Sequence, residues 1–529
     1  MSATKAQLLF ETGNAHDAAG AYDAAVAAFA ACAALAPDHV AAQINLGNAL
    51  IKAERIDEAI DAYRRCLTLA PNLVDVMFAL GNALSTANRL PEAVETYITC
   101  LRHAPDFGAV YVNLAGALRR LGVLDHATIM AETAVRLMPG DVDALACLAG
   151  LHYDQGDFEA AVVGYGHALA AAPSHAGVLS SLANALHSAG RLDAALALHE
   201  RAYATAPNNA DYRYNRALSL LAAGDYERGW VEHEWRHRRS RAARLAIERG
   251  PAWTGEPIAG RTILLHAEQG FGDTLQFVRY APLVAALGAR VILQVPEPLV
   301  RLMRSVPSVA EVVGNNDPAP RFETHCALMS LPLRFGTTVA TIPAPIPYLS
   351  VAPAAVARWR GWFADDERRR VGLVWAGGTH HGDIDSHLID RRRSLPITAL
   401  APLAAVDRVQ FVCLQRDAAT LPRQLDLIDP MPLVADFADT AALIASLDLV
   451  IAVDTAVAHL AGALGKPVWL LSRYDGCWRW FERRSDTPWY PTMRIFRQAR
   501  PQDWDGVIRH IVGALNQGMG TDQRHLAVA

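Results

Sequence analysis

Small, apolar and proline positions repeat every 34 residues through the N-terminal part of the chain. The small positions are Gly13, Gly47, Gly81, Ala115, Ala149, Ala183 and Ala217. The prolines are Pro37, Pro71, Pro105, Pro139, Pro173 and Pro207. Helix axes can approach closely where side chains are small, and a hairpin with one apolar face is stable only when it is stacked on others. The repeat predicts six helical hairpins over about residues 6–209, stacked into a solenoid, and a degenerate seventh hairpin after them.

After Pro251 the repeat is lost, and short β-branched runs alternate with helical segments. The predicted strands cover 261–266, 290–295, 371–375, 409–414, 449–453 and 468–471. Strands that alternate with helices form parallel sheets, so the pattern predicts two successive α/β units, separated by the proline-rich segment 344–348. A helix is predicted over 274–287. The charged run 232–249 is predicted to be a polar helix or connector whose arginines face solvent.

The composition favours several folded domains, because 52% of the 529 residues are hydrophobic and 19% are charged. The net charge of −5 argues against binding to nucleic acid. Seven cysteines lack paired spacing, which favours a reducing compartment over a disulfide framework. The N-terminus lacks the layout of a signal peptide, and charges interrupt the most apolar stretch, near 443–471. We therefore expect a cytoplasmic protein without membrane insertion.

Two loops follow predicted strands and open helices, where unpaired backbone N–H groups favour an anion. The first carries Asp273, which either caps the helix or acts as a general base, and the sequence favours neither. The second places Asp454 and Thr455 directly after a buried strand and His459 one turn later. Asp454 and Thr455 can cap that helix, and His459 can donate to a phosphate or sugar oxygen. A capped helix with a satisfied histidine is the alternative.

A third polar loop follows the strand 409–414 and carries Gln415 and Arg416. Ligands of open α/β sheets bind beyond the carboxyl ends of the strands. Arg416 therefore lies where it can neutralise a phosphate, unless it only pairs with Asp417 at the surface.

The repeats resemble the tetratricopeptide repeat (TPR), a helical hairpin of about 34 residues. The 272–273 loop and the Asp-Thr-x-x-x-His turn resemble those of GT-B glycosyltransferases of the heptosyltransferase-like group, over about 258–515. The run from 436–440 through Trp-Arg-Trp at 478–480 to 489–491 is similar to TPR-linked bacterial members of that group. The resemblance implies an α-helical TPR solenoid followed by an α/β GT-B module of two Rossmann-like lobes.

The resemblance also implies a division of the chain and a set of site residues. The segments are a solenoid over 1–243, a linker over 244–257, an N-terminal lobe over 258–350, a donor-binding C-terminal lobe over 351–515 and a tail over 516–529. Asp273 is implied as the base, with a nucleotide-sugar donor (an NDP-sugar or a CMP-nonulosonate), no further cofactor and no metal. The implied donor-binding residues are Arg393, Ser394, Gln415, Arg416, Asp454, Thr455 and His459. A metal at the cluster of His380, His381, Asp383, Asp385 and His387 is the lesser alternative to a solvated loop.

Asparagines recur on the side of the hairpins that is expected to be concave: Asn14, Asn45, Asn48, Asn82, Asn113 and Asn184. An amide offers both a donor and an acceptor and so matches a peptide backbone without reading its side chains. This pattern is similar to the asparagine ladder of O-GlcNAc transferase, whose overall arrangement is the same. A merely polar helix face is the alternative.

We therefore expect an inverting, metal-independent glycosyltransferase that moves a sugar to Ser or Thr hydroxyls of a polypeptide bound by the solenoid. TPR-bearing flagellin glycosyltransferases look similar, so flagellin is the acceptor that the resemblance suggests. Transfer to lipopolysaccharide or another glycan stays open, as does a non-catalytic TPR scaffold. The oligomeric state is also open, with a homodimer among the outcomes.

Overall fold

The computed structural model describes residues 2–239, 250–318, 320–363, 367–378, 384–416 and 425–517. The chain divides into two compact units, Met1–Val178 and Leu179–Ala529. The first unit consists of helices, and the second begins with helices and continues with two parallel sheets and the helices between their strands. The finer segment limits expected from the sequence stay predictions.

The helical part of the described chain contains fourteen helices. They are α1 (Ser2–Ala18), α2 (Tyr22–Leu35), α3 (Val40–Lys52), α4 (Ile56–Leu69), α5 (Val74–Thr86), α6 (Leu90–His103), α7 (Gly108–Arg120), α8 (Leu124–Leu137), α9 (Val142–Gln155), α10 (Phe158–Ala171), α11 (Ala176–Ser188), α12 (Leu192–Thr205), α13 (Ala210–Ala222) and α14 (Tyr226–His233). From α1 to α10 each helix packs on the next, so the predicted solenoid is confirmed.

Two of the predicted small residues, Gly47 and Gly81, lie where a helix of the first unit packs closely against the aromatic ring of its neighbour. A Cβ atom at Gly47 would lie 2.4 Å from the ring of Tyr63, and one at Gly81 would lie 2.4 Å from the ring of Tyr97. Both rings are almost fully buried. At these glycines the 34-residue period therefore records a packing requirement, namely one ring against one residue without a side chain.

Both sheets of the second unit are parallel, as predicted. The first contains β1 (Thr262–His266), β2 (Arg290–Val295), β3 (Val309–Gly314) and β4 (Thr324–Ala327) in the order β3-β2-β1-β4, with Leu264 opposite Ile292. The second contains β5 (Arg369–Val374), β6 (Val409–Cys413), β7 (Leu427–Ile428), β8 (Leu449–Val453), β9 (Val468–Ser472) and β10 (Met493–Arg497) in the order β10-β9-β8-β5-β6-β7. We call residues 262–334 the first lobe and residues 353–516 the second lobe.

Nine α-helices accompany these strands in the described residues. They are α15 (Phe271–Phe277), α16 (Ala281–Ala286), α17 (Glu297–Met303), α18 (Leu331–Arg334), α19 (Pro353–Arg360), α20 (Ile384–Arg393), α21 (Phe437–Ala445), α22 (Ala456–Ala463) and α23 (Trp504–Asn516). The single helix predicted over 274–287 is wrong. A short 3-10 helix, Val278–Tyr280, separates α15 from α16, and Pro282, which has no N–H group, falls in the first turn of α16.

One apolar core joins the last repeat helices to both lobes of the second unit. Trp489 of the second lobe donates from Nε1 to the hydroxyl of Tyr226 in α14 at 3.0 Å. Trp230, also in α14, donates from Nε1 to the main-chain oxygen of Thr337 at 3.0 Å. Every residue of β8 is buried, as expected of a parallel strand covered on both faces. Both lobes thus pack in one core with the last repeat helices, α13 and α14.

The expectation that the arginines of the charged run 232–249 face solvent is wrong for Arg236. Residues Glu234–Arg238 form a 3-10 helix, and Arg236 is buried. Its guanidinium pairs with Glu234 and Glu268 and donates to the hydroxyl of Ser330 at 2.7 Å. A buried cation is tolerated where carboxylates and hydrogen bonds compensate for lost water, and here they do. Residues 240–249 lie outside the described residues.

Candidate active site

Asp273 lies in the first turn of α15, directly beyond the carboxyl end of β1. The N-cap residue of that helix is Gly270, and Asp273 is the third helical residue, so its expected capping position is wrong. A carboxylate in the first turn still interacts favourably with the positive end of the helix dipole. Its side chain is 21% exposed, which leaves it reachable from one side.

In the second lobe, α22 begins directly after β8 with no side-chain cap. Thr455 is the N-cap residue, but its hydroxyl donates to the main-chain oxygen of Val453 at 3.2 Å. The expected capping by Asp454 and Thr455 is therefore wrong. The N–H of Ala458 donates to the main-chain oxygen of Thr455 at 3.0 Å. The N–H groups of Ala456 and Val457 precede it at the helix N-terminus, and together with the helix dipole they favour an anion.

His459 is buried one turn into α22 and is held from two sides. Its Nδ1 lies 2.9 Å from the hydroxyl of Tyr490, and its Nε2 lies 3.8 Å from a carboxylate oxygen of Asp454. Burial lowers the pKa of His459 to about 3, although the nearby Asp454 opposes the shift. The imidazole is therefore neutral at neutral pH and offers one N–H donor.

The first turns of α15 and α22 face each other at close range. A Cβ atom at Gly272 would lie 2.9 Å from Cδ2 of His459 and 3.7 Å from Cα of Ala456. Only a residue without a side chain permits this approach. Asp273 of the first lobe and the uncapped end of α22 are consequently parts of one site.

Arg479 of the second lobe contacts α15, the helix that carries Asp273. Its Nη2 pairs with the carboxylate of Asp273, its Nε donates to the side-chain oxygen of Gln276, and its Nη1 donates to Sγ of Cys477 at 3.1 Å. No pattern in the sequence predicted a role for this arginine.

The environment of Asp273 favours proton uptake by its carboxylate. Burial is the largest cause and raises its pKa, and the nearby Asp454 and Glu268 raise it further. Arg479 opposes the shift, but the pKa stays above its ordinary value. A carboxylate with a raised pKa holds a proton more strongly at the operating pH and is suited to general base catalysis.

Arg393 and Ser394 lie where the end of α20 approaches the loop after β5. Arg393 donates from Nη1 to the main-chain oxygen of Asp454 at 3.1 Å and from Nε to Asp390 at 2.8 Å. The Ser394 hydroxyl accepts from the N–H of Gly377 at 3.1 Å. Arg393 therefore borders the Asp454 turn, between the strand ends of β5 and β8, where the strand order turns back.

Gln415 and Arg416 follow β6 and differ in their surroundings. Gln415 Oε1 accepts from the N–H groups of Trp375 and Ala376 at 3.2 and 2.9 Å, so the side chain fixes the loop after β5. Arg416 is exposed, and among the described residues no contact joins it to the Asp273 and His459 cluster. Asp417, its partner in the alternative of a surface ion pair, lies outside the described residues.

In the first unit, the predicted asparagines form hydrogen bonds beside a pocket. Asn45 donates to the side-chain oxygen of Asn14 at 2.9 Å. The hydroxyl of Tyr63 donates to the side-chain oxygen of Asn48 at 2.7 Å. The pocket has a volume of about 320 Å³ and is lined by Asp17, Phe29, Asn45, Asn48, Ile51, Lys52 and Tyr63. Charged, amide and apolar groups thus meet in one concavity.

The remaining asparagines divide between the units. The side-chain oxygen of Asn82 accepts from the Tyr97 hydroxyl at 2.7 Å and from Asn113 at 2.6 Å. Asn184 is half-buried in the second unit. Peptide binding by these residues stays a prediction.

The described residues contain neither a cluster of metal-ligating side chains nor a membrane-crossing helix. No three His, Cys, Asp or Glu side chains gather as a metal site among the described residues, and His380, His381 and Asp383 of the expected cluster fall outside them. Within the described part of the chain, no helix is both long enough and apolar enough to cross a bilayer.

Known families match both parts of this architecture. The tetratricopeptide repeat matches residues 4–73, 148–210 and 180–229, and a second model of that repeat matches 50–118. Glycosyltransferase family 9 (heptosyltransferase) matches residues 418–473, which contain β8 and the turn that carries Asp454, Thr455 and His459. The repeats are therefore joined to a region similar to a glycosyltransferase.

A curated relative matches about half of the chain. Protein FlbA of Caulobacter vibrioides is 28% identical over 319 residues, which are 54% of this chain and 52% of the relative, so the chain spans about half of that protein's length. A tetratricopeptide repeat protein from Parabacteroides merdae is 16% identical, covering 46% of this chain and 95% of its own, with a TM-score of 0.41. A thermophilic TPR protein of Thermus thermophilus is 25% identical, covering 34% of this chain and 99% of its own, with a TM-score of 0.31. The family matches and the relative support a TPR-linked glycosyltransferase.

Proposed function

We propose that the chain is an inverting, metal-independent GT-B glycosyltransferase that moves a sugar from a nucleotide-sugar to a Ser or Thr hydroxyl of a polypeptide. The observation that carries the proposal is the pair of facing first turns, with Asp273 on one and the uncapped end of α22 on the other. One group accepts a proton, and the other accommodates the charge of a leaving phosphate.

The reaction follows from those two roles. The Asp273 carboxylate takes the proton of the acceptor hydroxyl while its oxygen forms a bond to the anomeric carbon. The bond from that carbon to the phosphate oxygen breaks, and the nucleotide leaves with the electron pair. A single displacement inverts the anomeric centre. The donors that we assign to the leaving phosphate are the N–H groups of Ala456 and Val457, the neutral His459 and Arg393.

For the acceptor, we propose the asparagine-lined pocket of the first unit as a polypeptide site. Asn45 and Asn48 offer amide groups for a peptide backbone, and Phe29 and Ile51 offer apolar surface for a side chain. Flagellin is the first acceptor to test. All seven cysteines are unpaired, which supports a reaction in the cytoplasm.

The first experiment compares the full chain with its Asp273→Asn variant. Each is incubated with flagellin and radiolabelled UDP-, GDP-, ADP- or CMP-activated sugars, and transfer is followed by label and intact mass. Loss of the base should lower kcat by about 10²- to 10⁴-fold. Asp505→Asn, at an exposed carboxylate in the first turn of α23, is the matched control. Undiminished transfer by Asp273→Asn would remove Asp273 from the mechanism.

A second experiment separates a polypeptide acceptor from a glycan, which the heptosyltransferase description of the matched family favours. Asn45→Ala and Asn48→Ala together should weaken transfer to a polypeptide and leave transfer to a lipopolysaccharide core unchanged. Transfer that is restricted to the glycan would favour the second function. Calorimetry that detects no binding of any of the four nucleotides would favour a non-catalytic scaffold.

A further inference from the structure

The Arg479 side chain crosses from the second lobe to the helix that carries Asp273. It lies in a 3-10 helix, Trp478–Trp480, beyond β9. Its three nitrogens contact three different groups, namely Asp273, Gln276 and Cys477, and two of these belong to α15. A guanidinium with all three nitrogens engaged has a fixed direction.

The surroundings of Arg479 fix its position further. The guanidinium carbon lies 4.5 Å from the ring centre of Trp478, and the main-chain oxygen of Arg479 accepts from the Thr487 hydroxyl at 3.1 Å. The neighbouring Trp480 is fully buried. Only 11% of the Arg479 side chain is exposed. A side chain fixed in this way can orient the carboxylate that it contacts.

We infer that Arg479 is a positioning residue for the proposed base, holding the Asp273 carboxylate towards the first turn of α22. This inference rests on the proposed function. The anchor belongs to one lobe and the base to the other, so Asp273 is oriented only while the two turns face each other as they do here. Through Arg479, the orientation of the Asp273 carboxylate thereby depends on how the two lobes are arranged.

Several charged and titratable groups around Asp273 determine whether its pKa rises or falls when Arg479 is replaced. They are Arg479, Asp454, Glu268, Tyr214 and, across the close contact at Gly272, His459. Among these, Arg479 is the cation in direct contact with the carboxylate, and it lowers the pKa of Asp273. Without it, the pKa of Asp273 should rise, and the acid limb of kcat/KM should move to higher pH.

The test uses the full chain with Arg479→Gln, Arg479→Lys and the control Arg484→Gln, which breaks an exposed ion pair with Asp486. Arg479→Gln should lower kcat by about a hundredfold without raising KM for the donor, because orientation rather than binding is lost. Arg479→Lys keeps the charge and should restore the pH profile but only part of kcat. If Arg479→Gln fails to fold, Arg479→Lys still tests the inference through its kcat.

An infrared titration of the Asp273 carboxyl, assigned by its loss in Asp273→Asn, provides a readout that needs no turnover. The pKa of Asp273 should rise in Arg479→Gln and stay unchanged in Arg484→Gln. An unmoved titration and pH profile in a folded Arg479→Gln variant would overturn the inference while the function stands. Absence of transfer by the unmodified chain with every donor would instead refute the function.

Discussion

Substitution of Gly272 by alanine tests whether the two first turns must approach as closely as they do. The new Cβ atom would lie 2.9 Å from Cδ2 of His459, whereas carbon atoms prefer a separation of about 3.5–4.0 Å. His459 cannot move aside easily, because it is buried and lies 2.9 Å from the Tyr490 hydroxyl. The Tyr490 ring in turn lies against Gly462, where a Cβ atom would be 2.4 Å away. The lobes must therefore separate.

The required displacement is roughly 0.6 to 1 Å, from the difference between the available and the preferred carbon–carbon separation. A misplacement of about 1 Å at a reacting centre lowers the rate by about a hundredfold. The effect on stability should be small, because alanine gains about 0.5–1 kcal/mol over glycine within a helix and offsets part of the crowding cost. Gly272→Ala should therefore lose transfer and keep its fold.

The assay is transfer of labelled sugar together with thermal unfolding of the same preparation. Gly513→Ala is the matched control, because Gly513 also lies within a helix and its Cβ atom would meet nothing within 4 Å. The control should keep its transfer rate and become slightly more stable. A wild-type transfer rate in Gly272→Ala would show that the approach of the turns is not required.

Two further predictions concern stability. Burial lowers the pKa of three histidines of the second unit, to about 4 for His187 and about 3 for His199 and His459. Below pH 6.5 the unfolded chain binds protons that the folded chain does not, so the free energy of unfolding should fall by about 2 kcal/mol per histidine between pH 6.5 and 5. A melting temperature that rises as the pH falls from 6.5 to 5 would contradict the lowered pKa of these histidines. Gly47→Ala should lower the free energy of unfolding in urea by about 1–3 kcal/mol, because the new methyl group would overlap the Tyr63 ring. Gly116→Ala is the control and should not lower it, because its methyl group would meet nothing within 4 Å.

Much of the fold could be predicted because its signals are local or periodic. The strands predicted over 290–295 and 449–453 have the observed limits, since strands covered on both faces are rich in Val, Ile and Leu. The glycines of the first hairpins recur because each contacts a ring in the same register, as Gly47 does with Tyr63 and Gly81 with Tyr97. Asp273 was found by its place between a strand and a helix, but its position within the first turn was not, because helix ends vary by a residue or two.

The contacts that complete the site carry no local signal. Arg479 and Asp273 are 206 residues apart in the chain, and only the packing of the two lobes brings them together. A Trp-Arg-Trp run indicates buried aromatic surface but does not name the partner of the arginine. The many charged residues next to Arg236 in the sequence favour a solvated helix face. Its partners Glu268 and Ser330 lie far from it along the chain, so the sequence does not indicate its burial. Buried charge of this kind is decided by tertiary contacts.

The contacts of Arg236 also decide how the acceptor question must be tested. It lies beyond α14 and pairs with Glu268, whose own charge contributes to the raised pKa of Asp273. Trp230 of α14 lies in the core that both lobes share. Deletion of the repeats through 243 would remove both residues and would disturb the base whether or not the repeats bind an acceptor. Substitutions in the asparagine-lined pocket leave these contacts intact, so a loss of polypeptide transfer in such variants reports on acceptor binding alone.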